Sequence, residues 1–154
     1  MSLDYDFSIA TTFSPQQVLR IALSELGMAP NTERSEEGVF KETAGPGFLV
    51  SAGPMGKQSR SMLEEMLHIS PDVDLRFWID ALGDRYTAQT LMLRSILAVL
   101  GQIPGDAVLM FIGETALLLR RGGRLYLEAG TGVWTPERLE LVKLPYEVKN
   151  FPVF

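Results

Sequence analysis

The sequence predicts an α+β fold: one mostly antiparallel sheet with helices packed on it. Three observations carry this. Leu3, Tyr5, Phe7 and Ile9 alternate with Asp4, Asp6, Ser8 and Ala10, the period-two pattern of a strand with one solvated face. Apolar residues recur at helical spacing after Val18 and again after Leu91. Gly122-Gly123 separates two strand-like runs, and glycine at both central positions permits the positive φ values of a two-residue hairpin. At 154 residues the chain is the size of a single domain, 1–154, with a real core.

Each element has its own signal. Leu3 to Ile9 is the first strand. Ser14-Pro15-Gln16-Gln17 then opens a helix, with Ser14 as cap, Pro15 at the first helical position and Gln17 closing a capping box. Val18, Leu19, Ile21, Ala22 and Leu26 form its apolar stripe, and Gly27 stops it. Residues 31–38 are polar and read as an exposed connection. Val39 to Thr43 and Phe48 to Ser51 read as short strands joined by Ala44-Gly45-Pro46-Gly47. Ser61 and Glu64 have capping-box spacing, which starts a helix near Ser61 with Met62, Leu63, Met66 and Leu67 on its apolar side.

Leu75 to Leu82 is a further strand. The helix from Thr87 is apolar nearly all round, through Leu91, Met92, Leu93, Ile96, Leu97, Val99 and Leu100, and is therefore expected to be buried. Ala107 to Ile112 reads as a central strand. Thr135 and Pro136 open a short helix whose apolar residues are Leu139, Val142 and Leu144, and the aromatic tail from Tyr146 is expected to dock. The pattern also admits two similar β-α-β-β halves with a boundary near residues 70–74. Chance likeness between two amphipathic βα units explains it equally well.

Composition excludes several classes. With no cysteine, disulfides, thiolate zinc sites and thiol nucleophiles are out. A net charge of −5 is unsuited to a phosphate backbone, so nucleic acid is not an expected partner, whereas a basic protein surface is. The N-terminus lacks the pattern of a signal peptide, and no apolar run reaches membrane-spanning length, so a cytoplasmic protein without membrane insertion is expected.

No chemistry-bearing constellation assembles. His68 is the only histidine, and it stands near a helix end where its charge is favourable. Ser51 to Gln58 imitates a phosphate-binding loop, but Ser51 replaces the first glycine, Gln58 replaces the hydroxyl, and Pro54 removes an amide donor. The carboxylate pairs Asp4/Asp6, Glu36/Glu37, Glu64/Glu65 and Asp72/Asp74 read as solvated charge, since acid–base work needs a buried carboxyl with a raised pKa. No catalytic residue, metal ligand or cofactor is therefore expected. Two groups are candidates for binding a partner: Asp4 and Asp6 on the first strand, and Arg121, Arg124 and Tyr126 on the Gly-Gly hairpin, which also carries Arg120. On that hairpin, alternation puts Leu117 and Leu119 on the face of Arg121. Trp78 and Trp134 read as core or edge residues.

Four stretches resemble the immunity proteins of the swarm-inhibition toxin systems of myxobacteria. They are Leu3-Asp4-Tyr5-Asp6, Phe13-Ser14-Pro15-Gln16-Gln17-Val18-Leu19, Leu118-Leu119-Arg120-Arg121-Gly122-Gly123 and Trp134-Thr135-Pro136-Glu137-Arg138-Leu139. The resemblance implies a small bacterial cytoplasmic protein that binds a cognate protein toxin and neutralises it without being an enzyme. It implies no particular contact residues. The alternatives are a small-molecule-binding or hydrolytic domain, whose pocket must hold a carboxylate or His68, and a structural module that oligomerises through an open sheet edge.

Overall fold

The computed structural model describes residues 2–31 and 42–151. In chain order the elements are β1 (Ser2–Ile9), α1 (Pro15–Ser24), β2 (Thr43–Gly45), β3 (Phe48–Pro54), α2 (Lys57–Leu67) and β4 (Val73–Asp80). There follow α3 (Arg85–Gln102), β5 (Ala107–Phe111), β6 (Thr115–Arg121), β7 (Arg124–Glu128), α4 (Pro136–Leu139) and β8 (Tyr146–Lys149). The strands form one sheet in the order β2-β3-β4-β1-β5-β6-β7-β8. Every neighbouring pair is antiparallel except β7 and β8. This is the expected α+β architecture.

β1 and β4 lie side by side near the centre, with Tyr5 opposite Phe77 and Phe7 opposite Leu75. Those four residues face a core shared with α1 (Val18, Leu19, Ala22, Leu23) and α3 (Met92, Leu93, Ile96, Val99). Alternation thus turns one face of β1 toward two helices, and burial of that face drives assembly. α1 starts as its sequence requires: Ser14 Oγ accepts from the Gln17 amide at 3.2 Å and Gln17 Oε1 accepts from the Ser14 amide at 2.8 Å. Gly27, at φ 69°, closes it, and the Met28 amide reaches back to the Leu23 carbonyl at 2.9 Å.

Among the described residues, the opposite face of the sheet is covered only in part. α2 lays Leu63 and Leu67, with the following Ile69, over Val108, Met110 and Leu119. It begins at Lys57 and not near Ser61, and its cap is Gly56, which makes no side-chain bond. The helix starts as soon as β3 ends at Pro54, so Ser61 falls inside it and the expected capping box does not form. Met62 and Met66 are exposed, leaving Leu63 and Leu67 as the buried side.

Other boundaries move for tertiary reasons. β4 spans Val73 to Asp80, not Leu75 to Leu82, because its whole length pairs with β1. α3 starts at Arg85, ahead of Thr87, because Asp84 caps it through the Thr87 amide at 3.1 Å. Its middle is buried as expected, through Met92, Leu93, Ile96, Val99 and Leu100, while Leu91 and Leu97 are half-buried and the first turn is exposed. β5 stops at Phe111, and Ile112 turns the chain at φ 47°. A bulge between β5 and β6 pairs Leu109 with Leu118 and Met110 with Ala116, skipping Leu117. Leu117 therefore joins the larger core with Leu118 and does not follow Leu119. Its carbonyl accepts the Trp134 indole N–H at 2.8 Å, which makes Trp134 a core residue. The hairpin forms as expected, with Gly122 at φ 60° and Gly123 at φ 81°. α4 ends at Leu139, and β8 docks the tail on β7. The expected strand Val39 to Thr43 and the connection before it lie almost wholly outside the described residues; β2 begins at Thr43.

Two arginines hold the fold from inside. Arg120 is buried and donates to the carbonyls of Leu100, Ile103 and Gly105, at 2.7, 2.5 and 2.7 Å, so it caps the end of α3 and does not join Arg121 and Arg124. Arg138, 2% exposed, ties α4 to α3: it donates to Thr90 Oγ1, Val133 O and Tyr86 O at 2.9, 2.8 and 2.9 Å.

Candidate binding surface

The partly uncovered sheet face carries the candidate residues. β1 sends Asp4 and Asp6 to it, since Tyr5 and Phe7 take the core side. Register then decides their neighbours. Asp4 stands opposite Trp78, Asp6 opposite Arg76, and Ser8 opposite Asp74. Leu49 of β3 lies on the far side of Trp78, and it is exposed. Asp6 accepts from Arg76 Nε at 3.0 Å, and Arg76 Nη2 lies 3.9 Å from Asp74. The Arg76 guanidinium is 6.0 Å from the Trp78 ring centre.

This cluster is not plain solvated charge. Burial pushes the Asp74 carboxyl up to about 7, and the nearby Asp6 charge adds to it, against Arg76 and a 3.5 Å bond from Ser8 Oγ. Arg76 is raised in turn, first by its bond to Asp6. Asp72 behaves as expected, exposed and paired with Arg60 at 3.0 Å, but Asp74 does not: β4 begins at Val73 and carries it into the sheet.

Ile112 adds an apolar tip beside this group. Its amide donates to the Asp4 carbonyl at 2.8 Å, and its side chain is 51% exposed. A β-branched residue at positive φ is strained, and strain of this kind gathers at functional positions. Nothing in the sequence marks it, since it reads as the end of an apolar strand.

The hairpin group lies on the same sheet face but on the other side of α2. Arg121 stands opposite Arg124, as the two-residue loop requires. Arg121 Nη1 donates to the Leu67 carbonyl at 3.0 Å, so it closes the end of α2. Arg124 is exposed, and Tyr126 is half-buried with Lys149 Nζ 5.3 Å from its ring centre. The structure thus separates the five candidates into two groups. β1 and β7 are three strand spacings apart, about 14 Å.

A cleft of about 320 Å³ opens between α2 and strands β5 to β7, lined by Met66, Met110, Ala116, Glu114, Glu128 and Phe151 among others. It does hold carboxylates, as a hydrolytic site would need. Glu128, however, is engaged by the backbone amides of the turn that follows it. Burial raises its pKa, but the Gly130 and Thr131 amides outweigh this and hold it below the usual carboxylate range. Its role is to fix the turn after β7. His68 is exposed and ends α2 in a left-handed conformation, its amide bonded to the Glu64 carbonyl at 3.1 Å. The segment Ser51 to Gln58 is the link from β3 into α2. Among the described residues no three His, Asp or Glu side chains gather as metal ligands, and no helix is long and apolar enough to cross a membrane.

A model of the family described as SitI3-like matches residues 3–138, from β1 into α4. The chain belongs to the SitI3-like family. That match takes in both surface groups, and β8 lies beyond it. No curated protein and no solved structure matches the chain.

Proposed function

We propose that this SitI3-like chain is a non-enzymatic bacterial immunity protein that binds a cognate protein toxin and neutralises it by occlusion. Membership of the family supports the reading, together with the resemblance of four stretches of this chain to swarm-inhibition immunity proteins. The sheet face supports it. Asp4, Asp6, Arg76 and Trp78 combine charge with an aromatic anchor, and Leu49 and Ile112 add apolar area, the composition of an interface centre with a polar rim. Arg124 and Tyr126 fall inside the same footprint, since a stable interface covers about 800 Å² on each partner. The net charge of −5 favours encounter with a basic toxin surface. Such a protein needs no cofactor and works in the cytoplasm, where it meets incoming toxin.

The test is to mix the purified chain with the toxin encoded by the adjacent gene. A stable complex and loss of toxin activity are expected. Absence of any complex at micromolar concentrations defeats the proposal.

A further inference from the structure

The geometry points to a homodimer formed by β8 pairing with β8 of a second copy, antiparallel across a two-fold axis. β8 ends the sheet among the described residues. The Ala129 amide donates to the Lys149 carbonyl, so Lys149 turns its backbone groups toward β7. By alternation Glu147 does the same, while Tyr146 and Val148 present N–H and C=O groups outward. Side chains alternate as well: Glu147 and Lys149 share one face, 3.2 Å apart, and Tyr146 and Val148 share the other. Tyr146 and Val148 are 38% and 46% exposed.

Short charged edge strands usually discourage pairing. Here the charges are ordered so that a second copy fits. Antiparallel pairing matches residues whose backbone groups face each other, so Val148 can lie on the axis opposite Val148 of the copy, exchanging both hydrogen bonds. That register sets Glu147 opposite Lys149 of the copy, and Lys149 opposite its Glu147. The registers to either side set Glu147 against Glu147 or Lys149 against Lys149, which repel. The strand is therefore complementary to itself in one two-fold register, the symmetry of most dimers.

Light scattering and sedimentation over a wide concentration range test this. Mass is expected to rise toward twice that of one chain. Val148→Pro removes the outward donor, leaves the N–H groups that bond β7, and is expected to hold the mass at one chain. Lys149→Glu is expected to do the same, and Glu147→Lys combined with Lys149→Glu to restore the dimer. Amide exchange of the unmodified protein gives an independent readout: Val148 is protected at high concentration and not at low. A monomer throughout overturns the proposal, as does a dimer indifferent to both single substitutions. Protection of Val148 that requires added toxin also overturns it, in favour of strand addition by that partner.

Discussion

Arg138→Ala removes a side chain that ties α4 to α3 through Thr90, Tyr86 and Gln89. The side chain is 2% exposed, and every partner it donates to is neutral: Thr90 Oγ1, the Val133 and Tyr86 carbonyls, and Gln89 Oε1 at 3.3 Å. It also stacks 4.1 Å from the Tyr86 ring centre. Burial holds its pKa below the usual arginine value, with Tyr86, Tyr5 and Glu137 opposing. Hydrogen bonds to a charged group are worth about 1.5–3 kcal/mol each, and leaving a part-buried acceptor such as the Val133 carbonyl without this partner costs up to a further ~1–3 kcal/mol. These contributions belong to one network and do not add, so the expected loss is about 3–5 kcal/mol. For a chain of this size each kcal/mol moves the melting temperature by about 2–4 °C. Thermal unfolding followed by circular dichroism should therefore show a drop on the order of 10 °C. Arg138→Lys should fall between, since it keeps the charge and loses the fork. A drop of less than about 2 °C for Arg138→Ala refutes the reasoning.

Three further outcomes follow from the sheet face. The Asp74 carboxyl sits at about 7 when folded, against about 4 in an unfolded chain. The folded state thus binds the extra proton between those values, and this group's contribution to stability falls as pH rises through that window and is flat above it. Asp74→Asn should melt above the parent at pH 8, by at most about 4 kcal/mol, and match it at pH 4; a lower melting temperature at pH 8 contradicts this. Ile112→Asn should relieve the strain at φ 47° and stabilise by about 1 kcal/mol while weakening toxin binding; unchanged affinity removes Ile112 from the interface. Asp6→Lys and Trp78→Ala should each weaken the complex by about tenfold or more, ~1.4 kcal/mol, in titration calorimetry. Affinities within about twofold of the parent place the contact surface elsewhere.

Local grammar carried much of the fold. The Ser14 cap with Gln17, the Gly122-Gly123 turn, the alternation of β1 and the all-round apolar α3 each depend on residues a few positions apart, and each formed as read. The candidate surface was half legible. Asp4 and Asp6 were placed on an open face by alternation alone. Their neighbours were not, because Asp6 meets Arg76 across 70 positions of sequence and only register brings them together. Ser61 shows the reverse error, a good local signal overruled because the helix had already begun at Lys57.

Short-range periodicity and turn chemistry settle which segments are strands or helices and which side of each is apolar. They settle nothing about order across the sheet. That order places β4 beside β1, lifts Asp74 out of the solvated class, buries Arg120 and Arg138 against backbone carbonyls, and parts the hairpin arginines from the acidic strand by the width of α2. The reason is that desolvation and pairing depend on what lies within a few ångströms, and in a sheet of long-range pairs those neighbours come from distant parts of the chain.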